Sequence, residues 1–162
     1  MTSTRELFGG AITAVFPSSY IDASTLRQIP DNQEVLVSPT SDISFIIEVL
    51  QRVPPTDPRD AARFHFDSLA HDNDAQFSEV LSVDAPNDNT QPKLNSTPPP
   101  ILLNGLQRIA KFNHEQSDEV HILLAVYRIA NNGLDASDLT RLKETFSAAA
   151  VSLKIVDFSL FA

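Results

Sequence analysis

Residues 101–129, ILLNGLQRIAKFNHEQSDEVHILLAVYRI, contain two long apolar runs separated by a short polar segment. The runs Ile101–Phe112 and Glu119–Ile129 have the length and the aliphatic content of β-strands. The 6 residues NHEQSD between them are enough to reverse the chain between antiparallel neighbours. This stretch therefore predicts a long β-hairpin.

Shorter strands are predicted on both sides of this hairpin. Each is a run of aliphatic and β-branched residues that follows or precedes turn residues. The predicted strands are Ala11–Phe16, Glu34–Val37, Phe77–Val83 and Leu153–Val156. Gly9 and Gly10, which precede the first of them, indicate a turn or a bulge.

Residues 42–53, DISFIIEVLQRV, fit either a strand or a helix. Five of their apolar residues fall on one face of a helical wheel, whereas Glu48, Gln51 and Arg52 lie elsewhere. The residues on that face are Ile43, Ile46, Ile47, Leu50 and Val53. This spacing favours a helix over 42–53.

A second helix is predicted to begin near Asp57, because aspartate is a good N-cap and Pro58 suits the first helical position. Its predicted buried residues are Ala62, Phe66 and Leu69. A last helix is predicted from Ser137, with apolar residues at helical spacing: Leu139, Leu142, Phe146 and Ala150. The order of these elements argues for an α+β fold in which helices pack on the faces of a largely antiparallel β-sheet.

The bulk composition indicates one globular domain, 1–162, with 42% hydrophobic residues. The polar, proline-rich residues 84–100 are expected to form a long mobile loop on its surface. Because the chain has no cysteine, it cannot form disulfides, and a reducing intracellular compartment is expected. The opening MTSTRELFGG lacks the features of a signal peptide, and no apolar run reaches the ~18 residues of a membrane span, so we expect a soluble protein.

The net charge of −9 limits the kinds of partner that this protein can bind. Nucleic acid and anionic membranes would be repelled, and the sequence has no Lys/Arg cluster that would reverse this. A basic protein partner would be attracted. The alternative is that the acidic residues only keep the protein soluble.

Motifs for catalysis are scarce. The phosphate-binding patterns GxxxxGK[ST] and GxGxxG are absent, as is the hydrolase pattern GxSxG, and no cysteine nucleophile is available. Residues 71–74, His-Asp-Asn-Asp, offer metal-ligand chemistry, or simply a solvated helix end. Residues 95–97, Asn-Ser-Thr, match a glycosylation sequon that we expect to be silent without a secretory signal.

Residues 22–34, DASTLRQIPDNQE, are unusually rich in charge. One interpretation is local: Asp22 caps a turn, Asp31 shapes another turn, and Glu34 pairs with Arg27. The other interpretation is that these charges form a surface for a partner. The residues alone leave both interpretations open.

Residues 7–37, LFGGAITAVFPSSYIDASTLRQIPDNQEVLV, resemble the opening of the Mog-type Ran guanine-nucleotide release factors, which are proteins of nuclear transport. The shared features are GGA after a hydrophobic and an aromatic residue, a strand that ends at proline, and the pattern IDxSxLRxxPDxQEV. The segments ARFHFDSL, residues 62–69, and DFSLFA, residues 157–162, are similar to fungal members.

This resemblance implies a single PsbP-like domain that binds the small GTPase Ran and promotes release of its guanine nucleotide, GTP in particular. It implies a role in nuclear protein import, a nuclear location with access to the cytoplasm, and no enzymatic activity. The family's Ran-interacting positions correspond to Asp22, Arg27, Asp31 and Glu34. We expect a monomer without a cofactor, and other Ran-binding proteins are possible further partners.

Two alternatives stay open at this point. One is an adaptor that binds Ran through the same acidic surface without affecting its nucleotide. The other is a metal-dependent hydrolase that uses His71 and nearby aspartates. The family resemblance assigns no role to residues 84–100.

Overall fold

The computed structural model describes residues 1–85, 98–110 and 117–128, together with the backbone of 154–155. These residues belong to two compact units. The N-terminal unit contains 1–51 and 154–155, and the central unit contains the described residues between 52 and 128. The prediction of one domain over 1–162 stays a prediction.

The described residues form nine strands, one α-helix and two short 3-10 turns. In chain order the strands are β1 (Thr2–Leu7), β2 (Ile12–Pro17), β3 (Ile21–Asp22), β4 (Gln33–Val37), β5 (Ser44–Glu48), β6 (Phe77–Asp84), β7 (Ile101–Ala110), β8 (Ser117–Val126) and β9 (Lys154–Ile155). The helix α1 is Pro58–Asp72, and the 3-10 turns are Phe8–Gly10 and Ala23–Thr25. All strand pairs are antiparallel, in the orders β1-β2-β9, β3-β4-β5 and β6-β7-β8. The predicted α+β class with largely antiparallel sheets is confirmed.

The core of the N-terminal unit lies between its two sheets. β2 alternates between buried and half-buried residues, as a strand with one face on a core should. On the facing sheet, Leu36 of β4 is 3% exposed and belongs to the same buried cluster as Ile12 and Phe16. The rings of Phe16 and Phe45 lie 5.2 Å apart, so aromatic packing joins the two sheets.

The predicted helix over 42–53 is wrong, because this segment contains strand β5. β5 pairs along β4, with Glu34 opposite Ile47 and Leu36 opposite Phe45. Burial follows a period of two: Phe45 and Ile47 pack on the core, whereas Ile46 is 57% exposed. The apolar spacing suited a helix, but pairing with β4 buries the β-branched and aromatic residues better.

Helix α1 of the central unit confirms the second predicted helix. Asp57 caps it by accepting hydrogen bonds from Arg59 N at 2.8 Å and Asp60 N at 3.3 Å, and Pro58 is its first residue. Ala62 and Phe66 are fully buried, as predicted, while Leu69 is half-buried.

The predicted hairpin of the central unit is also confirmed, since β7 and β8 pair from Ile101–Val126 to Ala110–Ser117. Its connecting residues 111–116 lie outside the described residues. Gly105 of β7 lies under α1, and a Cβ there would be 2.6 Å from Phe66 Cε2, so glycine permits the close approach of helix and sheet.

Some sequence predictions fall outside the described residues. The helix from Ser137 lies there entirely, as do 86–97 of the predicted 84–100 loop. Of the predicted strand Leu153–Val156, residues 154–155 are described and form β9, which pairs with β2. Among the described residues, none of the helices has the length and apolar character that a bilayer crossing requires.

Candidate functional site

The candidate site is the β3–β4 connection, residues 23–32, which joins two neighbouring strands of the N-terminal unit. Asp22 is paired with Leu36 at the start of the connection, and Gln33 follows its end. The charged residues that the sequence predicts as a surface lie in this connection or directly beside it.

Asp22 supports the first turn of the connection. Its Oδ1 accepts a hydrogen bond from Ser24 N at 2.8 Å, and its carbonyl accepts one from Thr25 Oγ1 at 2.7 Å. The predicted capping role is therefore confirmed. The residue is half-buried, and its charge helps to fix the local backbone.

Leu26 and Arg27 follow this turn and point outward. The amides of both residues donate to Ala23 O at 3.0 Å, and Ala23 is 2% exposed, so the backbone beneath them is anchored. Leu26 is nevertheless 68% exposed. Arg27 is exposed, and no ion pair joins it to Glu34, although the structure describes both residues. The predicted Arg27–Glu34 pair is therefore wrong.

Asp31 occupies the second position of a β-turn over 30–33. Gln33 N donates to Pro30 O at 3.0 Å, which closes this turn. Asn32 ties the turn to the chain beyond β5, because its carbonyl accepts from Val49 N at 3.0 Å. Asp31 is exposed, so the turn presents its carboxylate to solvent.

Glu34 differs from the other predicted residues because it faces the core side of β4. Its Oε1 accepts a hydrogen bond from Phe8 N at 2.7 Å, and the residue is half-buried. A hydrogen bond to an ionised carboxylate is stronger than one between neutral groups. Glu34 therefore links the start of β4 to the turn between β1 and β2.

The structure thus places Asp22, Arg27, Asp31 and Glu34 in the β3–β4 connection or in the strands beside it, although it does not join them in one network. Sequence reasoning predicted a turn or a bulge at Gly9 and Gly10, where the turn Phe8–Gly10 lies, but it missed the exposure of Leu26. The Gly9-Gly10 pair was the available signal for the turn, but nothing in the sequence indicated its contact with Glu34.

The metal-ligand alternative gains no support in the described part of the chain. There, no three His, Asp or Glu side chains are grouped closely enough to hold a metal ion. His71 Nδ1 lies 3.6 Å from Asp72 Oδ1, and these side chains are 91% and 77% exposed. This arrangement is that of a solvated helix end.

The β3–β4 connection has the features of a macromolecule-binding surface. Its backbone is anchored by internal hydrogen bonds, and it exposes an apolar side chain between charged ones. Arginine and large apolar residues are frequent anchors in protein–protein interfaces. Fold and site together define the class of this protein: a small α+β protein with a candidate protein-binding surface.

Comparison with known proteins agrees with this class. Residues 5–136 match the family described as Ran-interacting Mog1 protein. The chain is 35% identical to the Ran guanine nucleotide release factor of Danio rerio over 97% of this chain and 89% of that protein. It is also 48% identical to the nuclear import protein mog1 of Schizosaccharomyces pombe over 43% of this chain and 37% of that protein. A solved structure of a Mog1 mutant protein superposes with a TM-score of 0.56 and 26% identity over all of both chains. The chain belongs to the Mog1 family.

Proposed function

We propose that this protein binds the small GTPase Ran and promotes release of its bound guanine nucleotide, GTP in particular, in support of nuclear protein import. Family membership supports this proposal, as does the name of the Danio rerio relative, a Ran guanine nucleotide release factor. The observation that carries it is the anchored β3–β4 connection, which exposes Arg27 and Asp31 beside Leu26.

Asp31 is the candidate for acting on the nucleotide site. GTPases hold the nucleotide phosphates with a lysine, backbone amides and Mg²⁺. A carboxylate docked beside these groups competes with the phosphates for them. Asp31 suits this role because it is exposed at the tip of a closed turn, where it needs no rearrangement to reach a partner.

Release also requires a preference between states of Ran. A partner that binds nucleotide-bound and nucleotide-free Ran equally well shifts no equilibrium, however tightly it binds. The protein must therefore bind the nucleotide-free form more tightly. We assign Leu26 and Arg27 to the contacts that supply binding energy, and Asp31 to the competition.

The test is a stopped-flow measurement of labelled GTP leaving Ran. Wild-type protein should accelerate release, and Asp31→Ala should reduce the acceleration by about tenfold, which corresponds to a loss of ~1.4 kcal/mol. Asp42→Ala is the matched control, because Asp42 is an exposed aspartate beyond the other end of β4, where Val37 pairs with Ser44. Equal loss in both variants would argue against a specific role for Asp31.

The same assay separates release from adaptor function. An adaptor would bind Ran, as measured by calorimetry, without accelerating release of GTP. That result would remove the nucleotide-release part of the proposal and keep the Ran-binding part.

We further propose that the protein acts as a regulator of a GTPase rather than as an enzyme, and that it acts in the nucleus with access to the cytoplasm. The family relative named as a nuclear import protein supports this location. A fluorescent fusion excluded from the nucleus at steady state would contradict it.

A further inference from the structure

We propose that the β1–β2 turn, residues Phe8–Gly10, is a second contact element for Ran, and that Glu34 is the residue that positions it. This inference rests on the proposed function and deepens it. It assigns Glu34 a different role from Asp31: Glu34 acts through the turn that it holds, whereas Asp31 acts directly.

The first step is the geometry of the contact. Phe8 and Glu34 are separated by 26 positions, yet Phe8 N donates to Glu34 Oε1 at 2.7 Å. β1 and β2 end at the pair Leu7–Ile12, so the turn lies at the tip of this hairpin. The hydrogen bond therefore fixes the tip of this hairpin beside Glu34. Glu34 directly follows the β-turn over 30–33 that carries Asp31.

The second step is the backbone of the turn. Phe8, Gly9 and Gly10 have φ angles of 50°, 64° and 92°. Glycine adopts such values freely, but a phenylalanine adopts them only when its surroundings enforce them. Two interactions do so at Phe8: its amide is held by Glu34, and its ring packs against the core cluster of the N-terminal unit. Without the carboxylate, one of these two constraints is lost.

The third step is what the turn offers to a partner. Gly9 is exposed, and a Cβ built on it would meet no atom within 4 Å. A glycine in open space allows the backbone of another protein to approach closely. The turn adjoins the proposed Ran-binding surface through Glu34, so a partner seated on Asp31 would reach it.

The positioning role is tested by two substitutions at Glu34. Glu34→Gln keeps an oxygen that can accept from Phe8 N and removes the charge, whereas Glu34→Ala removes both. We expect the rate of GTP release from Ran with Glu34→Gln to lie within about twofold of the wild-type rate. With Glu34→Ala, this rate should fall by about tenfold. The Phe8 amide signal in ¹⁵N–¹H NMR spectra should move strongly in Glu34→Ala only.

The contact role is tested at Gly9 itself. Gly9→Asn suits the left-handed backbone, because asparagine tolerates it better than other residues with a side chain. The variant should keep the wild-type melting temperature. Its rate of GTP release from Ran should fall by about tenfold, because the asparagine side chain enters the interface. Ser41→Asn, an exposed position in the β4–β5 connection, is the control and should release GTP like wild type.

The outcomes are distinct. If Gly9→Asn releases GTP like wild type, the turn does not contact Ran and the contact role is overturned. If Glu34→Gln is as defective as Glu34→Ala while its Phe8 signal stays in place, Glu34 acts by its charge and the positioning role is overturned. In both cases, acceleration of GTP release from Ran by the wild-type protein would still support the proposed function. If wild-type protein itself fails to accelerate release, the proposed function fails, and this inference fails with it.

Discussion

At the residue scale, the charged positions of the candidate site divide into two kinds. Asp22 and Glu34 are half-buried and already accept hydrogen bonds from backbone amides. Arg27 and Asp31 are exposed on an anchored backbone. Substitution of the first kind changes the shape of the surface, because a cap or a turn loses its acceptor. Substitution of the second kind changes only what the surface presents.

Leu26 gives the first prediction at this scale. A side chain that is 68% exposed contributes little to folding, whereas a partner that covers it would gain from its burial. Leu26→Ala should therefore weaken binding to Ran by about fivefold to tenfold and leave the melting temperature unchanged, as measured by calorimetry and thermal denaturation. Ile43→Ala is the matched control, because it removes an isoleucine side chain, similar in size to leucine, that is 57% exposed in the β4–β5 connection. This variant should bind Ran with wild-type affinity. Unchanged affinity in Leu26→Ala would exclude it from the interface.

Tyr127 gives a prediction about alkaline pH. Burial raises the pKa of this residue from 10.0 to about 12. The folded state therefore holds the phenol proton more tightly than the unfolded state, and the resulting stability is complete below pH 10 and lost as the pH rises toward 12. The free energy of unfolding, measured by urea denaturation, should fall more steeply in this range for wild type than for Tyr127→Phe. Equal slopes would mean that other groups govern the alkaline loss.

At the element scale, the sequence predicted those elements whose signals are local. Helix α1 has its cap, its N-terminal proline and its buried face within one segment. The sequence pattern of residues 42–53 fits either a helix or a strand, and the pairing of β5 with β4 decides in favour of the strand. The deciding interaction is tertiary, so propensity and periodicity over 42–53 could not contain it.

The N-cap of α1 gives the prediction at this scale. Asp57 accepts from two amides of the first helical turn, and its loss leaves both without this acceptor. Asp57→Ala should lower the free energy of unfolding by about 1 kcal/mol, measured by urea denaturation, whereas Asp57→Ser should retain most of it. Asp67→Ala is the matched control, because Asp67 is exposed in the body of the helix, where alanine is a better helix former. A loss in the control as large as in Asp57→Ala would show that capping is not the cause.

At the scale of the whole molecule, the family pattern located the charged residues of the candidate site but not their roles. The motif over 22–34 is continuous in sequence, so a resemblance could identify Asp31 and Arg27 as candidates. The bond between Glu34 and Phe8 joins positions 26 residues apart, and it exists only because the two sheets of the N-terminal unit pack on each other. Such a contact follows from the fold, and no local pattern predicts it.

The net charge of −9 predicts how association with Ran depends on salt. If the acidic surface attracts a basic face of Ran, the association rate should fall by about tenfold between low salt and ~0.5 M salt, because ions screen exposed charges. Charge acts over long range on the association of the two proteins, whereas nucleotide release depends on local contacts.

Replacing the exposed Asp60, Asp67 and Asp72 of α1 by asparagine should therefore slow association and leave the release rate at saturating protein unchanged. Asp31→Ala should lower the release rate even at saturation. Stopped-flow measurements over a range of protein concentrations separate the association rate from the release rate. An association rate that does not change with salt concentration would show that the acidic surface serves solubility alone.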